Sequence, residues 1–416
     1  MSAEPDRSHQ KPPFLKRVRI RNYKSIKFCD VELEPLTVLV GRNGSGKSNF
    51  VDALGFLRDV ETRGLQQAVE AHGGTDAILF RGSPGRKIEI AITYSVSEVA
   101  GLTEFDYSNI FSVDVLGRWQ YYRESLVVRN SAGDVVDGFK ARVDGVNIHL
   151  EWTVTRDDRS QMVSMAGGGR MVLPSLVLHP KYGLCLFSLA GILNYNFVPS
   201  SMRVLAPTQS GGQLLSDGSN LASVIKGIQA SDVNALNRIR QYLAAITGNV
   251  QYTDILSAGG YDIVGFRVLA KGEELDFPAA SMSDGTLRAF AALVAVFQQT
   301  SQGPPSLVAI EEPETSLHPA ASAALVDAFD EATGRTQILI TTHSTELLDN
   351  PTIQPKNVRV VEMIDGETVI TGVNAASVKN VVEGLNTLGG LERENRLKVN
   401  VVDLKALREA EARVPQ

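Results

Sequence analysis

Residues 36–48, Leu-Thr-Val-Leu-Val-Gly-Arg-Asn-Gly-Ser-Gly-Lys-Ser, constrain the fold more than any other stretch of the chain. The continuous run from Leu36 to Val40 is the pattern of a strand buried on both faces of a sheet. Gly41 to Ser48 then matches GxxxxGK[ST], and Asn49 to about Arg58 reads as a helix. A buried strand that passes through a glycine-rich turn into a helix makes a cradle for phosphate. Consecutive backbone N–H groups and the positive end of the helix face the same negative charge. Gly41, Arg42, Asn43, Gly44, Ser45 and Gly46 would form the wrap, Lys47 would reach the β/γ-phosphates, and Ser48 would ligate Mg²⁺. A glycine-rich turn without a ligand is the alternative, and the strand and helix on either side argue against it.

Composition sets the outer limits. The 416 residues are 43% hydrophobic and 21% charged, which suits a globular protein with a sizeable core and not a disordered or collagen-like one. The formal charge of −6, from 41 Lys+Arg and 47 Asp+Glu, argues against indiscriminate coating of nucleic acid and leaves room for a local basic face. Cys29 and Cys185 are the two cysteines, far apart and without ligand spacing, so a reducing cytosol is the simplest setting and one buried disulfide the alternative. The six histidines make no zinc pattern. The apolar run Tyr182–Leu193 is too short to span a bilayer, and no signal peptide is visible, so a cytoplasmic location is expected.

Further along the chain, Val18 and Ile20 alternate with Arg17, Arg19 and Arg21 as in a strand. Residues 87 to 165 look β-rich, and Ala166–Arg170 reads as a loop. Helices are expected at Ser219–Ile228 and Ser231–Ile246, each started by a serine cap, and from Asp284 along the face Leu287, Phe290, Ala291, Val294, Phe297. Strand (306–311), helix (317–332) and strand (336–341) follow, then a hairpin on Asp365-Gly366. No heptad repeat is sustained.

A phosphate loop alone hydrolyses nothing. Ser306-Leu-Val-Ala-Ile-Glu-Glu-Pro-Glu314 offers an apolar strand that delivers adjacent carboxylates. Glu311 would hold the Mg²⁺ sphere through water, and Glu312 would orient and deprotonate the attacking water. The strand ending at Thr342 offers His343 as a sensor of the γ-phosphate.

In this order the motifs resemble those of the ABC-type ATPases, in the RecF/OLD/SMC-like branch. The resemblance rests on Asn22-Tyr-Lys-Ser-Ile26, Val40–Asn49, Leu215–Leu221, Ser283-Asp-Gly-Thr-Leu-Arg288, Glu311–Pro319 and Thr341-Thr-His-Ser344. It implies an α/β P-loop NTPase fold: an ABC-type head with a β-rich and helical insertion and no coiled coil. It also implies ATP and Mg²⁺ as ligands, with Asn49 closing the phosphate-loop motif. Ser283 and Gly285 would be the signature, reaching the γ-phosphate held by a second subunit, and Thr315-Ser316 the D-loop at that interface. Glu311 stands where most relatives carry Asp. Ser210-Gly-Gly-Gln213 copies a transporter signature but lies far upstream of Glu311; Gln209 or Gln213 is a candidate for the glutamine that completes the Mg²⁺ shell.

The expected organisation is a loose tail over 1–13, one head over 14–372 with an insertion at about 87–210, and a helical extension over 373–416. Relatives that tether chromosomes insert long coiled coils, which this chain lacks. Those with a fused nuclease carry a larger C-terminal region than follows Thr371. The resemblance therefore implies a homodimer or higher oligomer closed around ATP, acting on DNA with a separate effector such as a nuclease or toxin, in anti-phage defence. DNA repair or recombination, a low-turnover ATP-dependent scaffold, and a transport-associated subunit are the alternatives. The basic strand Lys16–Arg21, with Lys24 and Lys27, reads as a nucleic-acid face, as a charged edge strand or as the adenine side of the nucleotide site, with the latter two favoured together. The tract from Leu391 to Ala412 could dock an effector or be a solvated helix.

Overall fold

The computed structural model describes residues 13–83, 86–99, 102–114, 116–144, 147–153, 171–208, 212–270, 272–300 and 303–413. The expected tail up to Lys11-Pro12, the loop 166–170, Gln209 and Ser210 lie outside them. The first half of the chain runs β1 (Phe14–Tyr23), β2 (Ile26–Glu32), β3 (Leu36–Val40), α1 (Lys47–Arg63), β4 (Lys87–Val99), β5 (Leu102–Val113), β6 (Trp119–Arg129), β7 (Val135–Asp144) and β8 (Asn147–Trp152). Then come α2 (Pro180–Ala190), β9 (Ile192–Tyr195), β10 (Ala206–Pro207), α3 (Leu221–Ser231), α4 (Val233–Thr247), β11 (Val250–Ala258), β12 (Tyr261–Ala270) and β13 (Glu273–Pro278). The last part holds α5 (Asp284–Phe297), β14 (Leu307–Glu311), α6 (Pro319–Ala332), β15 (Gln337–Thr342), β16 (Val358–Ile364), β17 (Glu367–Gly372), α7 (Ala375–Val382) and α8 (Val401–Arg413).

The central sheet has the order β17-β16-β3-β15-β14-β9, parallel from β16 to β9 and closed by the antiparallel β17. Strand alternation divides its side chains between two cores. Val38, Val40, Val308, Ile310, Ile338 and Ile340 face α3 to α6, while Leu39, Leu307, Ala309 and Leu339 face α1 and the other sheet. That other sheet is antiparallel, in the order β2-β1-β4-β5-β6-β7-β8, and covers the outer side of α1. A smaller sheet of β10 to β13 packs on α3 and α4. No coiled coil is present among the described residues.

Several expectations change. β1 lies between β2 and β4, so it is not an edge strand. Its cations are answered instead: Arg17 by Asp30 at 2.5 Å, Arg19 by Asp30 at 3.3 Å, Arg21 by Glu89 at 3.7 Å and Lys16 by Glu104 at 2.6 Å. β9, inside the 87–210 interval, pairs with β14 and so belongs to the central sheet. The serines expected to cap α3 and α4 do not. Asn220 and Asp232 hold those positions, and Asp232 accepts the N–H of Ala235 at 2.9 Å because a carboxylate one residue closer to the helix reaches it first. Cys29 and Cys185 are both buried and free, so the disulfide alternative falls. No described helix is long and apolar enough to cross a membrane.

Candidate functional site

The parallel strands β3, β15, β14 and β9 release the chain at the same edge of the sheet, where parallel α/β folds gather their ligands. In register, Val40 lies beside Thr342, Thr341 beside Glu311, and Ile310 beside Tyr195. The turns that follow these residues line a cavity of about 480 Å³ bounded by Asn43 to Asn49, Asn196, Arg288, Glu311, Glu312 and Thr315.

The phosphate loop is held from β17. Gly46 has a φ of 103°, and any Cβ there would run into Thr368 well inside 3.0 Å. Thr368 Oγ1 donates to the carbonyl of Ser45 at 3.0 Å and shares a 2.6 Å bond with Ser25, which accepts from Asn49 Nδ2 at 2.6 Å. Asn49 thus braces the loop as well as lining the cavity. Gly41 meets the carbonyl of Val361 where a side chain would begin, which fixes its identity sterically. Gly46 gives the 17-residue helix α1 no side-chain cap, so its first N–H groups face the cavity. Lys47 is buried and donates to the carbonyls of Gly41 at 2.6 Å and Arg42 at 3.2 Å. Burial lowers its pKa, against the opposing pull of Glu312, Glu311 and Glu314.

Ser48 Oγ donates to the Glu311 carboxylate in a very short bond, so the two groups expected at Mg²⁺ already touch. One hydroxyl and one carboxylate beside a phosphate cradle suit Mg²⁺, which takes few protein ligands and completes its shell with water and phosphate. Burial raises the Glu311 pKa, with Asp52 and Glu312 adding to the rise and Ser48 and Lys47 opposing it. Glu312 has a φ of 43°, a left-handed backbone that is costly for a side chain of its size. Its N–H donates to Thr341 O at 3.0 Å, and its Oε1 lies 3.1 Å from His343 Nδ1. Two residues further on, buried Glu314 accepts from Thr342 in a very short bond, tying the turn after β14 to the end of β15.

The expected residues therefore sort into groups. Asn43 to Asn49, Glu311 and Glu312 share the cavity; Gly41 and Arg42 do not line it but accept Lys47 through their carbonyls; His343 joins through Glu312. Ser283 and Gly285 do not line it. Ser283 caps α5, accepting the N–H of Thr286 at 3.2 Å, and is exposed. Gly285 packs its bare Cα on the carbonyl of Ser316, where a Cβ would not fit, so signature and D-loop positions form one surface. Gln213 faces a different cavity, beside Arg58 and Arg63. Two lining residues escape the sequence reading. Asn196 follows a four-residue strand hidden at the end of an apolar run, and Arg288 closes the Ser283–Arg288 motif, which gives it no role of its own. Arg288 makes no ion pair or hydrogen bond among the described residues.

Comparison with known proteins agrees with this geometry. Residues 14–149 match the family model "AAA ATPase domain", and residues 207–349 match "AAA domain, putative AbiEii toxin, Type IV TA system". The chromosome partition protein Smc of Halothermothrix orenii is 31% identical over 124 residues, covering 28% of this chain and 10% of that protein. The DNA replication and repair protein RecF of Renibacterium salmoninarum is 33% identical over 72 residues, 17% of this chain and 18% of that one. The matched stretches thus span only a tenth to a fifth of these relatives. A crystal structure of an Smc head bound to the C-winged helix domain of ScpA superposes with a TM-score of 0.55 at 16% identity, over 88% of this chain and 99% of that one. An Smc head from Pyrococcus furiosus, bound to the C-terminal domain of ScpA, gives 0.52 at 13%, over 90% and 99%. The likenesses to the Smc heads are of fold alone, and the two domain matches place AAA-family ATPase domains over residues 14–149 and 207–349 of the chain.

Proposed function

We propose that the chain binds and hydrolyses MgATP, closes as a dimer around it, and uses that closure to act on DNA together with a separate effector protein, in anti-phage defence. The observation that carries the reading is the meeting of three strand ends: Lys47 and Ser48 after β3, Glu311 and Glu312 at β14, and His343 after β15. Lys47 and the N-terminus of α1 would hold the phosphates. Ser48 and Glu311 would hold Mg²⁺, which when bound neutralises phosphate charge. Glu312 would orient the attacking water and take its proton, with its carboxylate steered by the strained backbone and by His343 Nδ1. Arg288, free and facing the same cavity, would add positive charge where the γ-phosphate sits.

Dimer closure is supported by what the cavity lacks. The exposed N-terminus of α5 at Ser283 does not line its own subunit's cavity, and would meet phosphate only if a second copy brought one to it. A second copy could supply one, so that ATP contacts both chains only in the closed state. The defence setting is favoured by the toxin–antitoxin family match over 207–349, and a repair role by the RecF match. Light scattering of the Glu312→Gln variant with MgATP tests the clamp. A mass that doubles with ATP, and stays single when Ser283→Arg is added, supports it. A mass indifferent to ATP refutes it.

A further inference from the structure

We propose that the outward face of β6, β7 and β8 is a nucleic-acid site that grips the phosphodiester backbone. This rests on the reading above that the chain acts on DNA, and it says where. The strands place Arg123 opposite Arg142 and Arg142 opposite His149, in one row across the sheet; in the next row Ser125 faces Lys140 and Lys140 faces Glu151. Together these residues line a groove of about 640 Å³. Arg123, Lys140, Arg142 and His149 are all exposed.

The contrast with the rest of the same sheet is the main argument. On β1 each of Lys16, Arg17, Arg19 and Arg21 has a carboxylate partner. Across the groove, Arg123, Lys140 and Arg142 form no ion pair among the described residues, in a chain whose formal charge is −6. The nearest interaction of Arg142 is with the ring of Tyr122, at 5.9 Å, on whose face Lys87 also lies at 4.4 Å. Glu151 is the one carboxylate lining the groove, and it stands opposite Lys140, leaving both arginines unanswered.

Rigid strands hold these charges about 4.8 Å apart across the sheet and roughly 7 Å apart along it, a repeating array suited to a repeating anion. Guanidinium groups are well matched to phosphate oxygens. An acidic protein partner fits less well. Specific protein interfaces carry an apolar core, and the one apolar side chain lining this groove is Ala141. Arg123, Lys140 and Arg142 sit on the interior strands β6 and β7, so a peptide adding itself to the sheet could do so only at β8 and not over these cations.

The test is fluorescence anisotropy of a short labelled duplex of arbitrary sequence, titrated with the full chain at two salt concentrations. The variants are Arg123→Glu with Arg142→Glu and, as a charge-matched control, Lys379→Glu with Lys405→Glu on the C-terminal helices. The groove variant should bind at least roughly tenfold more weakly, with a salt slope reduced by about two, while the control binds as wild type. ATP turnover without DNA should be the same in all. If the wild type binds the duplex and the groove variant matches it, the groove is refuted and the DNA reading stands. If the wild type binds no duplex and the groove instead captures polyglutamate, both are refuted.

Discussion

At the residue scale the loop is specified by sterics as much as by phosphate chemistry. Gly46 combines a φ of 103° with a Cβ direction already occupied by Thr368, so Gly46→Ala carries two penalties. It should cost at least about 2 kcal/mol locally and abolish nucleotide binding, seen as loss of the ATP-induced rise in melting temperature. Arg288→Ala, in contrast, should fold normally and lower kcat by on the order of tenfold or more. An unchanged kcat would remove Arg288 from the site. The difference in legibility between these two residues is instructive. Gly46 belongs to a motif whose spacing is dictated by a ligand of fixed size. Arg288 owes its role to where α5 crosses the sheet, and its neighbours Leu287, Ala289 and Phe290 advertise only a buried helix.

At the element scale, β3, β14 and β15 are readable because their interiors are mostly apolar, Thr37 and Thr341 being the exceptions, and each strand ends where polar chemistry begins. β1 was misjudged because a strand's neighbours are long-range partners, and the carboxylates of Asp30 and Glu89 that answer its arginines sit on other strands. The antiparallel sheet also contains a pair that no pattern reveals. Glu61 of α1 and Glu124 of β6 are both buried and meet through Tyr107, whose hydroxyl lies 2.7 Å from Glu61 and 3.0 Å from Glu124. Burial raises Glu124 to about 7, despite N–H bonds from Val172 and Leu173, and burial with Glu124 alongside raises Glu61 well above its ordinary value.

The consequence has a definite sign. Below about pH 4.5 both folded and unfolded chains hold these protons, and the pair has no effect on stability. As the pH rises, the unfolded chain ionises first, so the folded state is the one that binds more protons and stability falls. Unfolding of this sheet should therefore become easier from about pH 5 to pH 7 and beyond, and Glu61→Gln should flatten the trend. Both tryptophans, Trp119 and Trp152, lie on β6 and β8, so intrinsic fluorescence reads the right region. A variant with an undiminished slope would show that other groups set it.

At the scale of the whole molecule, the two cores meet across one sheet, and α1 touches everything that matters. Its first turn lines the cavity at the glycine-rich loop, and its last turn carries Glu61 into the antiparallel sheet. Arg123 of the proposed DNA groove and Glu124 of the buried pair are neighbours on β6 that point to opposite faces. Duplex DNA should therefore change the rate of ATP turnover in the wild type, and less so in the Arg123→Glu, Arg142→Glu variant. This depends on the order of strands in the antiparallel sheet, which no local stretch of sequence announces.

The ends of β3, β14 and β15 are proposed to make one hydrolytic site. The most direct measurement is steady-state ATP hydrolysis beside equilibrium ATP binding, for wild type and Glu312→Gln. The prediction is a loss of at least about a hundredfold in kcat with ATP affinity held within about threefold, because in its proposed role Glu312 acts on water and not on the nucleotide. Turnover by the variant equal to wild type, with ATP still bound, would contradict it.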